Sequence, residues 1–115
     1  MRPVLDQFKL PAGSLASRSS AIPFRKRILM ALAKSKDGIV IIDLAGVQVM
    51  AGSFADECIG VLVKMIGLDT VLHRVKVING SPGVLNSIAE SIKYRVQEIK
   101  DLASVVSTSG GQYGR

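Results

Sequence analysis

Side chains that could carry out catalysis are scarce in this sequence of 115 residues. It has one histidine, His73, and one cysteine, Cys58, so any nucleophile and base pair would depend on a single histidine. A disulfide within the chain is impossible, and a zinc site made of cysteine and histidine would lack ligands. Neither glycine-rich nucleotide-binding motif occurs. We therefore expect no metal, no cofactor and no enzymatic activity. An enzyme would need Asp43, Ser53 or His73 to converge in one pocket.

Ser53 is the residue whose position best suits regulation by modification. It follows Gly52 at the predicted start of a helix, as the N-cap, with Asp56 and Glu57 in the first turn, where acids complement the positive end of the helix. Phosphorylation of Ser53 would add about −1.5 to −2 charges at this point. The alternative is an ordinary cap that contributes about 1 kcal/mol. Asp56 and Glu57 would either repel a phosphate on Ser53 or form a polar face that a partner recognises.

The net charge of +6 is concentrated in one segment, because residues 18–36 carry six basic side chains and no acid. A solvated basic face is the simplest interpretation of this segment. The alternative is a nucleic-acid interface that binds phosphates. Stacking platforms for bases need several aromatic side chains, and Phe24 is the only one in the segment. The residues that this alternative would use are Arg18, Arg25, Lys26 and Arg27.

The elements that position these residues alternate between strand and helix. Residues 4–10 are typical of an edge strand, and residues 11–14 are typical of a turn. Residues 20–36 have helical spacing, with Pro23 in the first turn. Residues 38–44 form a continuous β-branched run, which is typical of a strand that is buried on both faces in the middle of an α/β sheet.

The second half of the chain repeats this order of elements. Residues 53–67 have the wide apolar face of a packed helix, and residues 74–79 alternate basic and apolar side chains as a strand does. Ser81 then caps a helix over residues 82–102, which has its proline at the first position. An alternative ends that helix near Ile92 and makes residues 94–99 an edge strand.

Two segments of the chain have the order strand, glycine, serine and helix, and these two segments define the architecture. They predict an α/β fold with a small, largely parallel or mixed β-sheet and helices packed on it. The carboxyl ends of the strands would place Ser53 and Ser81 on the same rim, where α/β proteins usually bind ligands. We predict a single domain over residues 1–103 and a flexible tail rich in serine and glycine over residues 104–115.

The expected location is the cytoplasm. The first six residues lack the apolar region of a secretory signal, and charged residues interrupt the apolar stretches well before about 18–20 residues, the length that a membrane span needs. No membrane association is therefore predicted. Exposed strand edges make a homodimer a candidate assembly.

Residues 13–95 resemble the STAS domain, which is the fold of the anti-sigma factor antagonists. The similar segments are the helix at residues 24–28, the strand, aspartate and turn at residues 39–47, and the strand, Ser-Pro and helix segment at residues 77–84. Residues 49–53 stand in place of the Phe-Met-Asp-Ser-Ser signature of the antagonists. The Ser-Phe-Ala-Asp-Glu sequence that begins at Ser53 resembles the bacterial STAS-like proteins of unknown function in particular.

This resemblance implies a regulatory module that is not an enzyme. In the antagonists, the serine aligned with Ser53 is phosphorylated by a partner kinase that is also the anti-sigma factor, and the unphosphorylated form binds that kinase. The implied partner is therefore a histidine-kinase-like ATPase or an anti-sigma factor. Ala51 replaces the usual aspartate and Phe54 the usual glycine, so Phe54 is expected to crowd the approach to Ser53. The candidate partner-binding residues are Gly52, Ser53, Phe54, Asp56, Glu57 and Ser81.

Overall fold

The computed structural model of this protein describes the backbone of residues 2–113 and the side chains of residues 2–105. The strands are β1 (Val4–Lys9), β2 (Gly13–Leu15), β3 (Ile39–Asp43), β4 (Val47–Met50) and β5 (Val75–Ile78). The helices are α1 (Arg18–Leu32), α2 (Gly52–Ala55), the π-helical turn (Asp56–Gly60), α3 (Val61–Ile66), α4 (Leu68–Arg74) and α5 (Pro82–Tyr113). In the described part of the chain, no helix has both the length and the apolar character that crossing a bilayer requires.

The described strands form two small parallel sheets. One sheet has the order β1, β3, β5, and the other pairs β2 with β4. In the larger sheet, Ile41 on β3 lies between Gln7 on β1 and Lys76 on β5. The predicted α/β class, the central position of the β-branched strand and the edge position of the first strand are confirmed.

Burial along β3 corrects one expectation from the sequence. Val40 and Ile42 are completely buried, whereas Ile39 and Ile41 between them are half-buried. Because side chains on a strand alternate between its two faces, only one face of β3 is fully covered. The prediction from the continuous β-branched run, that both faces are buried, is therefore wrong for the face of Ile39 and Ile41.

Helix α1 begins earlier than the sequence predicts. Its N-cap is Ser17, whose side chain accepts a hydrogen bond from the backbone N–H of Ser20 at 3.1 Å. Pro23 consequently lies inside the helix and not in its first turn, and the helix ends at Leu32 instead of near Lys36. The prediction for this boundary was wrong because the proline was used as the start signal, whereas the capping serine six residues earlier sets the start.

Three short elements were not predicted, namely β2, its partner strand β4 and the helix α4. Residues 13–15, which the sequence assigns mainly to a turn, form β2, whose first residue Gly13 has a positive φ of 96°. The backbone N–H of Gly13 bonds to the Gly46 carbonyl at 2.8 Å, which brings β2 beside β4. The third element is α4, which places His73 in its last turn.

Helix α5 begins at Pro82, as predicted, and the Ser81 hydroxyl accepts a hydrogen bond from the Val84 backbone N–H at 3.4 Å. The helix continues through residues 94–99, so the alternative that makes this segment a strand is wrong. The flexible tail predicted for residues 104–115 falls largely outside the residues whose side chains are described, and it stays a prediction.

Candidate docking site around Ser53 and Asp56

Ser53 is the second residue of α2 and not its cap. The N-cap is Ala51, which has extended backbone angles and no side chain able to bond the first turn. The Ser53 hydroxyl donates a hydrogen bond of 2.6 Å to the backbone carbonyl of Ala16, immediately before the cap of α1. This hydrogen bond connects the start of α2 to the residue before the cap of α1. Ser53 itself is half-buried.

Phe54 points into the core, with only 1% of its surface exposed. Its ring centroid lies 6.3 Å from that of Phe24, which in turn stacks on Phe8 at 6.1 Å. The expectation that Phe54 crowds the approach to Ser53 is therefore wrong. Adjacent residues on a helix point about 100° apart, so Phe54 reaches the core while its neighbour reaches Ala16.

Asp56 is buried between α1 and α5, with 5% of its surface exposed. Arg95 on α5 donates from Nε to Oδ1 at 2.8 Å and also bonds Oδ2 through Nη2. Arg18 on α1 donates from Nη1 to Oδ2 at 2.7 Å. The carboxylate is thus clamped by two guanidinium groups from two different helices, a geometry that fixes its orientation.

The residues around Asp56 extend this cluster of charges. Glu57 is paired with Arg25, and Glu57 Oε1 lies 3.6 Å from Nη1 of Arg18. On the other side, Glu98 lies 3.2 Å from Arg95 and 2.9 Å from Lys64. We call Arg18, Asp56, Glu57, Arg95 and Glu98 the Asp56 network. It joins α1, the π-helical turn and α5.

Gly60 makes room for the Asp56 carboxylate. Asp56–Gly60 is a π-helical turn, an irregularity that is frequent at functional sites. A Cβ atom added at Gly60 would collide with Oδ1 of Asp56 and would lie 3.2 Å from the Ser91 carbonyl oxygen. The absence of a side chain at Gly60 therefore lets the buried carboxylate fold back over its own turn towards Arg95.

The two arginines set the protonation of Asp56. Burial acts to raise the pKa of this carboxyl group, but the hydrogen bonds from Arg95 and Arg18 outweigh it and hold the pKa below 3.8. The hydrogen bond to Asp56 raises the pKa of both Arg95 and Arg18 in turn. Asp56 is therefore an anion at neutral pH and has no proton to donate there.

A pH dependence of stability follows from this lowered pKa. Because the pKa of Asp56 is lower in the folded chain than in the unfolded chain, its contribution to stability is complete at neutral pH. It is lost as the pH falls through 3.8 towards the folded value. Titration of the Asp56 carboxyl carbon by NMR is expected to give a midpoint below 3.8. A midpoint above that value would contradict the clamp.

A cavity of about 400 Å³ opens against the Asp56 network, between the start of α2 and α5. Ser87 on its wall donates a hydrogen bond of 2.8 Å to the Met50 carbonyl, which holds α5 against the end of β4. The exposed Tyr94 ring carries the Arg95 guanidinium at 5.5 Å. The lining residues are Arg18, Gly52, Asp56, Asn86, Ser87, Glu90, Ser91, Tyr94 and Arg95.

The six candidate partner-binding residues differ in their exposure. Gly52 and Ser81 are exposed, Ser53 and Glu57 are half-buried, and Phe54 and Asp56 are buried. Gly52 borders the cavity, whereas the Ser81 hydroxyl serves as the cap of α5. Phe54 therefore supports the surface from below, whereas Asp56 forms the inner wall of the cavity.

Asp43, Ser53 and His73 have different hydrogen-bond partners. Asp43 accepts hydrogen bonds from the backbone N–H of Ala45 and from the Asn79 amide, at 2.9 and 3.1 Å. His73 Nδ1 lies 2.7 Å from the carbonyl oxygen of Asp69 on its own helix. Within the described residues no hydrogen bond joins any two of these three side chains.

The basic residues of α1 are mostly engaged with acids. Arg18 and Arg25 bond to the Asp56 network, and Arg27 donates to Asp6 at 2.7 Å through Nε. Lys26 is exposed and takes part in none of these pairs. Three of the four side chains proposed for the nucleic-acid alternative are thus already paired with carboxylates.

The sequence analysis missed Gly60 and all the residues that α5 contributes to the site, above all Arg95. Arg95 falls on the apolar face of α5, at helical spacing from Ile88 and Ile92, and a charge on such a face signals a buried partner. That signal was available. Gly60 gave no comparable signal, because only the folded chain shows that Asp56 lies over it.

The comparisons with known proteins identify the family. A family model described as a STAS-like domain of unknown function matches residues 20–85, which is more than half of the chain. No significant match was found among curated proteins or among solved structures. The matched residues include most of α1, the central strand β3, Ser53, the π-helical turn and the start of α5. The chain therefore belongs to the STAS-like domain family of unknown function.

Proposed function

We propose that this protein is a non-enzymatic regulatory module that docks a protein partner at the Ser53 rim. We define the Ser53 rim as Gly52 and Ser53 with the facing α5 residues Asn86, Glu90 and Tyr94. The observation that carries the proposal is the cavity of about 400 Å³ between the start of α2 and α5. The clamped Asp56 forms its inner wall. The resemblance to anti-sigma factor antagonists points to a histidine-kinase-like ATPase as the partner.

The physical character of the Ser53 rim supports docking. Asn86, Glu90 and Tyr94 are exposed on one side of α5, and tyrosine is enriched in protein interfaces. Beneath them, Asp56 is held by arginines from two helices, so the surface is fixed before a partner arrives. Such preorganisation lowers the entropy lost on binding.

Phosphorylation of Ser53 would act on this surface as an off-switch. A phosphate ester cannot donate the hydrogen bond that Ser53 gives to Ala16, and it brings about −1.5 to −2 charges. The half-exposed Arg18 lines the same cavity as Gly52 and is a natural partner for this charge. Phosphorylation would therefore act through the charge and bulk that it adds to the Ser53 rim and through competition with Asp56 for Arg18.

Binding measured with three forms of the protein tests the proposal. Wild type and Ser53→Ala are expected to recover the same kinase-like ATPase from the protein's own cells. Ser53→Asp is expected to bind it at least tenfold more weakly, which corresponds to about 1.4 kcal/mol. Ser53→Ala loses only one hydrogen bond, with an expected fall of about 1 kcal/mol in unfolding free energy.

Ser35→Asp is the matched control, since it adds the same charge at a half-buried serine that follows α1 and lies outside the Ser53 rim. It is expected to bind as wild type does. Equal recovery of the partner with wild type, Ser53→Ala and Ser53→Asp would remove Ser53 from the mechanism. Mass spectrometry of the protein purified from the same cells reports both the phosphate and the partner.

A further inference from the structure

The side of α1 that faces away from the core carries an exposed methionine. Met30 is 72% exposed, and it is the one large apolar side chain of α1 that is exposed. At about 100° per residue, Lys26 lies about 40° from Met30 around the helix axis, and Pro23 lies about 20° from it on the other side. The completely buried Ile28 is about 160° away. Met30 therefore lies at the centre of the outer side of the helix.

A cavity of about 360 Å³ opens on this side of α1. Pro23, Lys26 and Met30 line it, together with the buried Ala31. Lys34 lines it as well, because the backbone N–H of Lys34 bonds to the Ala31 carbonyl at 3.1 Å and so continues the last turn of the helix. We call Pro23, Lys26, Met30 and Lys34 the Met30 face.

Arg27 forms a fixed wall of this cavity. Its Nε and Nη2 atoms donate to the two carboxylate oxygens of Asp6 at 2.7 and 3.0 Å, and its guanidinium lies 4.3 Å from the centre of the Phe8 ring. A bidentate ion pair that also stacks on an aromatic ring holds the guanidinium in one orientation. The wall therefore keeps its shape in the free protein, and Asp6 neutralises its charge.

The two lysines of the Met30 face lack such a partner. Among the residues whose side chains are described, neither Lys26 nor Lys34 forms a salt bridge. Lys34 is near enough to Asp6 to act on it electrostatically, but both oxygens of that carboxylate are bonded to Arg27. The Met30 face therefore presents an apolar centre between two uncompensated positive charges.

A surface of this kind is complementary to one that has an apolar centre between negative charges. Lys26 and Lys34 are eight residues apart, which is about 12 Å along a helix. Two acids that are eight residues apart on another helix have the same separation, with room for one apolar side chain midway between them. We propose that the Met30 face docks an acidic amphipathic helix of a partner protein.

In the proposed contact, the apolar side chain of the partner packs on Met30 and Pro23 while its two acids pair with Lys26 and Lys34. Methionine suits this role, because its flexible thioether side chain adapts to the group that it meets. Burial of the apolar pair supplies affinity, and the two ion pairs fix the register of the two helices.

Nucleic acids and membranes fit the Met30 face less well. A nucleic acid is bound by many cations and by stacked aromatic rings, whereas none of the described residues that line the cavity is aromatic and Asp6 beside it repels phosphate. A helix that lies in a membrane surface has a wide apolar face, whereas Met30 is the one exposed large apolar side chain of α1. A protein helix is therefore the favoured occupant.

Binding of defined peptides to the full chain tests the proposal. The first probe is an alanine-rich helical peptide of about 20 residues that has Glu, Leu and Glu at successive spacings of four residues. An NMR titration is expected to give it a dissociation constant of about 200 μM or lower. A peptide with Lys in place of both Glu residues, and one with Ala in place of Leu, should each bind at least fivefold more weakly. Absence of binding by the first peptide, or equal binding by the peptide without Leu, would overturn the proposal.

The charge of the Met30 face is tested by reversing both of its lysines. The double variant Lys26→Glu, Lys34→Glu should bind the first peptide at least tenfold more weakly, because each attraction becomes a repulsion. The matched control is Lys76→Glu, Lys100→Glu, which changes the net charge by the same amount at exposed lysines of β5 and α5. It should bind as the wild type does. Equal weakening by the two double variants would show attraction to the overall charge and would contradict a specific site.

The apolar centre is tested by Met30→Ala, which should weaken binding of the first peptide about fivefold. Met65→Ala is its control, because Met65 is an exposed methionine on α3, and it should have no effect. Met30 and Met65 are both exposed, so both variants should keep the circular dichroism of the wild type. Unchanged binding by Met30→Ala would remove the methionine from the contact.

The amide signals of the labelled chain locate the bound peptide. Shifts are expected at residues 23–34 and not at Gly52 or Tyr94 of the Ser53 rim, because Arg18 and Arg25, which bond to the acids beside that rim, project about 120–140° from Met30 around α1. Shifts confined to the Ser53 rim would overturn the proposal. Tighter binding of duplex DNA, or of vesicles that contain phosphatidylserine, through Lys26 and Lys34 would also overturn it and assign the Met30 face to that ligand.

Discussion

Asp56→Asn is expected to lower the free energy of unfolding by about 3 kcal/mol, because it removes the negative charge from a buried site that holds two arginines. Arg95 donates two hydrogen bonds to this carboxylate and is itself mostly buried, so it cannot turn fully to water. The asparagine amide also offers an N–H group to one of the positions where a carboxylate oxygen now accepts. The variant therefore leaves an uncompensated positive charge between α1 and α5.

Urea denaturation of Asp56→Asn, with Asp6→Asn as the control, measures this loss. Asp6 accepts hydrogen bonds from Arg27 in the same way, but the Arg27 side chain is half exposed, so solvent screens the pair and the loss should be much smaller. Within the Asp56 network, Arg95→Gln should destabilise the chain more than Arg18→Gln, since Arg18 is half exposed. If Asp56→Asn lost no more stability than Asp6→Asn, the burial of the clamp would add nothing to its contribution.

Gly60→Ala is expected to destabilise the chain by about 2 kcal/mol, through overpacking at the π-helical turn. The added methyl group would collide with the Asp56 carboxylate and press on the Ser91 carbonyl. The carboxylate cannot move aside without breaking its bonds to Arg95 and Arg18. The substitution therefore acts on the Asp56 network although the new side chain is apolar and small.

Gly83→Ala provides the matched control for Gly60→Ala. Gly83 also lies in a helix, but a Cβ atom there meets no other atom within 4 Å. Alanine at this position should leave stability unchanged or raise it slightly, by less than about 1 kcal/mol. Thermal denaturation of both variants at neutral pH measures this difference in stability. If Gly60→Ala were as stable as Gly83→Ala, the close packing of Asp56 over Gly60 would be contradicted.

Much of the fold can be predicted because it depends on local patterns. The β-branched run at β3, the alternation at β5 and the Ser-Pro start of α5 each contain their own signal within a few residues, and all three were predicted. Boundaries were less accurate where two signals compete, as Ser17 and Pro23 do at the start of α1. The short elements β2, β4 and α4, which were not predicted, lack the length that a periodic pattern needs.

The sequence by itself determined that this chain has an α/β fold, that a buried strand lies at the centre of its sheet and that Ser53 lies at the start of a helix. Only the tertiary structure decided what Ser53 and Asp56 do there. Their partners, Ala16 for Ser53 and Arg18 and Arg95 for Asp56, lie 37 to 39 positions away in the chain. Local periodicity shows which face of a helix is apolar. It does not show that α1 and α5 cover the polar face of the π-helical turn as well. Because they do, Asp56 and Glu57, which were expected to be surface acids, lie at the centre of a buried ion-pair network.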